Sequence, residues 1–296
     1  MGLNRGHCYR ERVNAPGAVR TLLEHLSVAH RHSSRAQWEE RIRRGEVRLG
    51  DRPGQVGDCV RAGDEIQWNR PPWEEPTVPR SYAVLYRDAD VLVVAKPRGL
   101  PTLPAGGFLE NTLLALVRER DFYATPMHRL GRGTSGLVVF GRTKAARSGL
   151  AGSWREGTVR RIYRGLVEGE PVRDEFAVDT PIGRVPHRVL GDVFGASRAP
   201  DARAARTEVR VLRRSRSGSL VEVDIETGRP DQIRIHLAAA GHPLLGDPLY
   251  GPGGVPRSWA LPGEGGYWLH AARIVFPHPV ARNQVVVDCE PPACLR

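Results

Sequence analysis

Residues Ser219–Gly251 read SLVEVDIETGRPDQIRIHLAAAGHPLLGDPLYG, and this run decides the fold. Its first part alternates Val221, Val223 and Ile225 with Glu222, Asp224 and Glu226. A period of two marks a strand with one face against a core. Thr227-Gly228 breaks the alternation, and a helix is predicted from about Asp231 to Ala240, closed by Gly241. Glycine ends helices because it takes the left-handed conformation at no steric cost.

Working outward, Val84–Tyr86 and Val91–Ala95 are apolar runs around Arg87-Asp88-Ala89-Asp90 and predict a hairpin. Asn111–Val117 reads as a helix, and Gly136–Phe140 and Arg161–Val167 as further strands. Residues 197–218 are polar and Arg-rich, and read in part as a flexible surface segment. Many strands, scattered helices, no internal repeat and no βαβ alternation predict an α+β fold with a largely antiparallel mixed sheet.

The N-terminal quarter has its own pattern. Val19, Leu22, Leu23 and Leu26 make the stripe of an amphipathic helix, and Ser34-Arg35-Ala36-Gln37 is a capping box opening a second one that carries Trp38 and Ile42 and stops at Gly45. Short strands are predicted at Glu46–Leu49 and Glu65–Trp68. Prolines 71, 72, 76 and 79 then bracket Trp73-Glu74-Glu75, the composition of a semi-rigid linker. The expected division is an arm over 1–17, a small module over 18–70, a linker over 71–80 and a main domain over 81–296.

Composition narrows the function. The chain has 296 residues, 40% hydrophobic, with net charge +11 and a pI near 10.2. Residues 1–75 carry +2 and the remainder +9, which points to a polyanionic partner. Arginine outnumbers lysine 42 to 2, but a GC-rich genome writes the same bias, so only the sign of the charge carries weight. No apolar run approaches the roughly 20 residues of a membrane span. The opening MGLNRGHCYRERV has no apolar core, so no secretory signal is expected. Cys8, Cys59, Cys289 and Cys294 form no metal-ligand spacing and read as reduced thiols of a cytoplasmic protein. There is no HExxH, Walker or dinucleotide fingerprint, so no metal or cofactor is expected. With no pattern of a dimer seam, a monomer is expected.

Two resemblances sharpen this. SSRAQWEERIRRGEVRLG (Ser33–Gly50), followed by VRAGDEI (Val60–Ile66), resembles the alpha-L RNA-binding motif. Five blocks in order, VLVVAKPRGL (91–100), HRLGRGTSG (128–136), RIYRGLVEG (161–169), the 227–251 run, and Leu269-His270-Ala271 with Phe276-Pro277-His278-Pro279, closely resemble the Rlu-type RNA pseudouridine synthases. The likeness spans roughly residues 81–290.

The resemblance implies the pseudouridine synthase fold and a cofactor-free isomerisation in ribosomal or transfer RNA. A uridine leaves its stack, its glycosidic bond breaks, and the uracil is rejoined through carbon 5; flipping is required because a stacked base cannot be reached. By match to the motifs, Tyr163 stacks on the target base and Arg234 pairs with a catalytic aspartate. The family reads His-Arg-Leu-Asp where this chain reads His-Arg-Leu-Gly, so Gly131 stands in the place of that aspartate. Glycine supplies neither nucleophile nor base. Asp231, where the family usually has histidine, lies three residues before Arg234 and shares a helix face with it. Two roles are open to Asp231: a substitute carboxylate, or an ordinary helix N-cap. Arg129, Arg132, Thr134, Lys96 and Arg229, in or beside the matching blocks, are the candidate RNA contacts. The alternative to an active synthase is an inactive RNA-binding homologue, and the structural discriminator is whether a carboxylate lies within reach of Arg234.

Overall fold

The computed structural model describes residues 2–14, 20–261 and 265–296. They fall into two compact units: Met1–Glu75 with Val189–Gly191, and the rest of the chain from Pro76.

In the first unit, helices α1 (Leu22–Ala29) and α2 (Arg35–Arg43) both open with reciprocal capping boxes, Thr21 with Glu24 and Ser34 with Gln37. Each box satisfies two backbone N–H groups that a helix start leaves open. Leu22, Leu23 and Leu26 pack with Trp38, Ile42, Val47, Ile66 and Trp68 in one small core; Val19 lies outside the described residues. A four-stranded sheet runs in the order His7–Arg12, Glu65–Arg70, Val47–Leu49, Arg52–Pro53. The segment expected as an arm thus supplies an edge strand. Tyr9 stacks on Trp68, and the Arg41 guanidinium lies 4.6 Å from the Trp38 ring and 4.3 Å from the Trp68 ring.

The second unit is built on a ten-stranded sheet. From one edge its main path runs Glu175–Val178, Thr207–Arg213, Ser219–Ile225, Arg160–Val167, Leu269–Pro277, Thr134–Gly141, Val91–Lys96, Ala83–Arg87. Gln284–Asp288 pairs with Leu269–Pro277, and Thr125–Pro126 with Thr134–Gly141. The strands are antiparallel except Thr134–Gly141 with Leu269–Pro277, so the sheet is mixed and largely antiparallel, as the alternation predicts. That parallel contact needs Gly136: it has φ 106°, and a Cβ there would stand 2.3 Å from the Ala271 carbonyl oxygen. Two short helices, α3 (Leu113–Arg118) and α4 (Lys144–Arg155), each begin at a threonine whose side chain accepts from the backbone.

The 197–218 segment departs from expectation. Thr207–Arg213 is a strand between two others, with Val209 buried and Val211 packed on the core. Its Arg and Glu residues face outward, and the polar average hides the alternating face.

The predicted helix forms as α5 (Gln232–Ala239), and every residue from Gln232 to Ala238 is buried. Ile233 and Leu237 join the main core, while Ile235 and Ala238 join a second cluster with Leu249 and Tyr250. A helix buried all round must have its polar side chains satisfied. Gln232 Nε2 donates to the Arg206 carbonyl and to Thr207 Oγ1, and His236 is held by Thr207 and the Thr180 carbonyl. The remaining polar residue, Arg234, is the centre of the site.

Candidate active site

Strand Arg160–Val167 turns Arg161 and Tyr163 to its buried face. Its ladder with Leu269–Pro277 slips between Ile162 and Tyr163. Such a bulge re-aims a side chain beside a site. Tyr163 is 6% exposed and lines a cleft of about 1750 Å³. Burial raises the pKa of its hydroxyl, which therefore stays protonated. The cleft walls come from the segments around Thr102–Phe108, Met127–Thr134, Trp154–Arg161 and Asp224–Arg234, with Leu261, Tyr267 and Leu269.

Arg234 projects from α5 into the base of this cleft. Its Nε and Nη2 donate to both oxygens of Asp247, at 2.7 and 2.8 Å, and its Nη1 donates to Asp231 at 2.9 Å. Burial by itself would lower the arginine's pKa. The hydrogen bonds to Asp247 and the charge of Asp231 outweigh it, and Arg234 is held firmly protonated. Its guanidinium also lies 4.8 Å from the Tyr250 ring and 4.4 Å from the Tyr267 ring, close enough for cation–π attraction.

The two aspartates differ. Asp247 is sealed, with its side chain 1% exposed, and accepts from the Leu249 and Tyr250 N–H groups as well. It does not line the cleft. Asp231 does, with its side chain 32% exposed. Of the two roles open to Asp231, the structure places it at the N-cap position but makes no side-chain cap bond there. Its backbone is left-handed, φ 52°, one of two non-glycine residues so placed among those described. That conformation is sparsely populated outside glycine, asparagine and aspartate. It directs the carboxylate onto Arg234. The discriminator therefore returns a carboxylate in contact with Arg234 and open to the cleft.

Gly131 also lines the cleft, opposite a residue that sequence reasoning missed. A Cβ built on Gly131 would be 3.0 Å from the Tyr267 hydroxyl, and one on Gly133 would be 2.9 Å from the Tyr267 ring. The ring of Tyr267, 2% exposed, rests on this glycine pair, and its hydroxyl lies 3.3 Å from Thr134 Oγ1. Thus Tyr267 touches both the backbone at 131 and the guanidinium of Arg234. Burial raises its pKa and keeps it a neutral hydroxyl. No motif block contains Tyr267, so only the folded chain exposes it. The second omission, Arg161, stands two residues before Tyr163, and the strand's period of two was a signal that could have found it.

The structure brings Arg129, Arg132, Thr134 and Arg229 to the cleft with Tyr163, Asp231 and Arg234. It does not bring Lys96 there. That lysine is 1% exposed, and its ammonium donates to the carbonyls of Pro97 and Leu100. Burial lowers its pKa to about 7. Its place is beneath the 97–100 turn, not on a nucleic-acid phosphate. His128 does line the cleft; its Nε2 accepts from the Val139 N–H, and burial lowers its pKa to about 3. Among the described residues no cluster of histidine, cysteine and carboxylate side chains could hold a metal, and no helix is long and apolar enough to cross a membrane.

Tyr163 and the Asp231–Arg234 pair thus share one cleft beside a mixed sheet. The family model for RNA pseudouridylate synthase matches residues 90–239. A Synechocystis protein described as an uncharacterized RNA pseudouridine synthase is 40% identical over 87% of this chain and 89% of its own length. The ribosomal large subunit pseudouridine synthase D of Neisseria meningitidis is 35% identical over 94% of this chain and 76% of its own. The solved structure of human RNA pseudouridylate synthase domain containing 1 matches in fold, with a TM-score of 0.58 at 23% identity, over 74% of this chain and 87% of that one. The chain belongs to the RNA pseudouridylate synthase family, and its enzyme class is that of an isomerase.

Proposed function

We propose that this protein converts uridine to pseudouridine in RNA, and that the Asp231–Arg234 couple supplies the carboxylate that the family motif would place at Gly131. The observation that carries the reading is the Asp231 side chain, which forgoes the helix cap for Arg234 at 2.9 Å while lining the cleft. In the reaction the bond from C1′ to N1 breaks and one from C1′ to C5 forms; the C5 proton is lost and N1 gains one. Tyr163 serves as the stacking platform. Asp231 acts at the reacting nucleoside, and Arg234, anchored by Asp247, holds that carboxylate in place. The hydroxyl of Tyr267 fills the space beside Gly131 and offers a neutral hydrogen-bond donor to the bound nucleoside.

Ribosomal RNA is the substrate class we favour, on the strength of the Neisseria relative's name and its 35% identity. The first unit, with Arg41 set against two tryptophans, serves in this reading as an alpha-L-like RNA-binding module. In this reading the monomer is the working unit. The test is to incubate purified protein with RNA from cells lacking the gene and to read pseudouridine by chromatography of the nucleosides. Product from wild type and none from Tyr163→Ala supports the reading. RNA binding without any product leaves an RNA-binding homologue instead.

A further inference from the structure

Among the described residues, the buried charge of Arg161 has no counterpart. The residue is 9% exposed and lines the cleft from the same strand face as Tyr163. Its Nε is shut off from solvent and has no hydrogen-bond partner, and its guanidinium forms no ion pair among the described residues. The other arginines near it are provided for. Arg160 pairs with Asp224 at 2.6 Å, Arg164 with Glu222 at 3.0 Å, and Arg234 with two aspartates. Burying an uncompensated cation is strongly unfavourable, so a fold keeps one where an anion arrives.

The chain at Gly228 packs closely on that cation. A Cβ on Gly228 would fall 2.8 Å from Nη1 and 3.7 Å from Cζ and Nη2 of Arg161. A larger residue there would make the guanidinium shift, so glycine lets the 227–231 loop pack directly on it. The adjacent titratable groups offer no charge to offset it. His128, its pKa lowered to about 3, is neutral, and Tyr163 stays protonated. Of the acids lining the cleft, Asp224 pairs with Arg160, Glu208 and Glu226 with Arg206, and Asp231 with Arg234, while Glu156 makes no ion pair with Arg161.

We infer that Arg161 forms a buried anion subsite that receives a phosphodiester of the RNA strand next to the nucleotide stacked on Tyr163. A guanidinium presents paired N–H donors that match two phosphate oxygens. A uracil carbonyl, being neutral, would leave the charge uncompensated. The inference rests on the reading that RNA enters this cleft, and it does not require that catalysis occur.

The probes are uridine and uridine 3′,5′-bisphosphate, titrated by NMR against the full-length protein and its Arg161→Gln, Arg161→Lys and Arg161→Met variants. Wild type is expected to prefer the bisphosphate by about tenfold, the scale of one charge-assisted contact. Arg161→Gln loses that preference while its uridine affinity is unchanged, and Arg161→Lys retains part of it. Because the arginine has no partner in the fold, Arg161→Met melts at or above the wild-type temperature. No preference in wild type, a preference that survives Arg161→Gln, or a clear fall in the melting temperature of Arg161→Met overturns the inference. A protein that forms no pseudouridine yet shows the Arg161-dependent preference refutes the catalytic reading alone.

Discussion

Replacing Asp231 with asparagine separates chemistry from stability at this site. Asparagine tolerates the left-handed backbone at φ 52° and preserves the shape of the side chain, so the variant loses a charge and little else. Arg234 keeps both bonds to Asp247, at 2.7 and 2.8 Å. The Asp231 side chain is one-third exposed and its pairing is screened by solvent, so its loss costs about 1 kcal/mol or less. For a unit of this size that is a shift in Tm of about 2–4 °C. If Asp231 is the working carboxylate, the rate falls by about 10^4-fold or more. That corresponds to roughly 5.5 kcal/mol of lost transition-state stabilisation. The assay is tritium release from RNA carrying tritium at uridine C5, prepared from cells lacking the gene, since the C5 proton leaves in the reaction. A near-native Tm with release within tenfold of wild type would refute the assignment of Asp231.

Four further outcomes are expected. Gly131→Asp gains no activity and loses about 1–3 kcal/mol in denaturant unfolding, because its Cβ meets the Tyr267 hydroxyl at 3.0 Å; the Gly131→Asp, Tyr267→Phe double variant recovers part of that loss in a double-mutant cycle. Asp247→Asn costs about 3–5 kcal/mol in the same measurement, since it breaks a sealed bidentate pair and strands the Arg234 charge. Lys96 titrates near pH 7 when folded and near 10.5 when unfolded, so the unfolded chain binds the extra proton between those values; stability contributed by this group therefore rises from about pH 7 upward, and Lys96→Met flattens Tm against pH over 7–9. His128, held near 3, works from the acid side: stability falls as pH drops below the ordinary histidine value of 6.5, and His128→Asn weakens that fall.

The legible parts of the fold are those whose cause is local. The alternation at Val221–Ile225, the Ser34 capping box and the Val91–Lys96 hairpin strand each form where the residue pattern places them. Helix α4 was not legible: Gly149 and Gly152 among alanines and serines dilute its stripe, and Gly149 is there because Pro279 packs at 2.8 Å from where its Cβ would be. The site shows the same divide. Tyr163, Arg234 and the three-residue spacing of Asp231 follow from motif and helix geometry. The Asp247 partnership spans thirteen residues, and the approach of Tyr267 to Thr134 spans 133. Contacts of that range are made by tertiary packing, which no local pattern encodes. Lys96 shows the converse error, since a matching block marks a residue as important without saying whether it faces ligand or supports a turn.

The most direct test is a pseudouridine map of ribosomal and transfer RNA from cells with the gene, without it, and complemented by wild type, Asp231→Asn or Arg234→Ala. The Asp231 assignment predicts at least one site that vanishes with the gene, returns with wild type, and stays absent with either variant. An unchanged map in the deletion strain, or full restoration by Asp231→Asn, would contradict it.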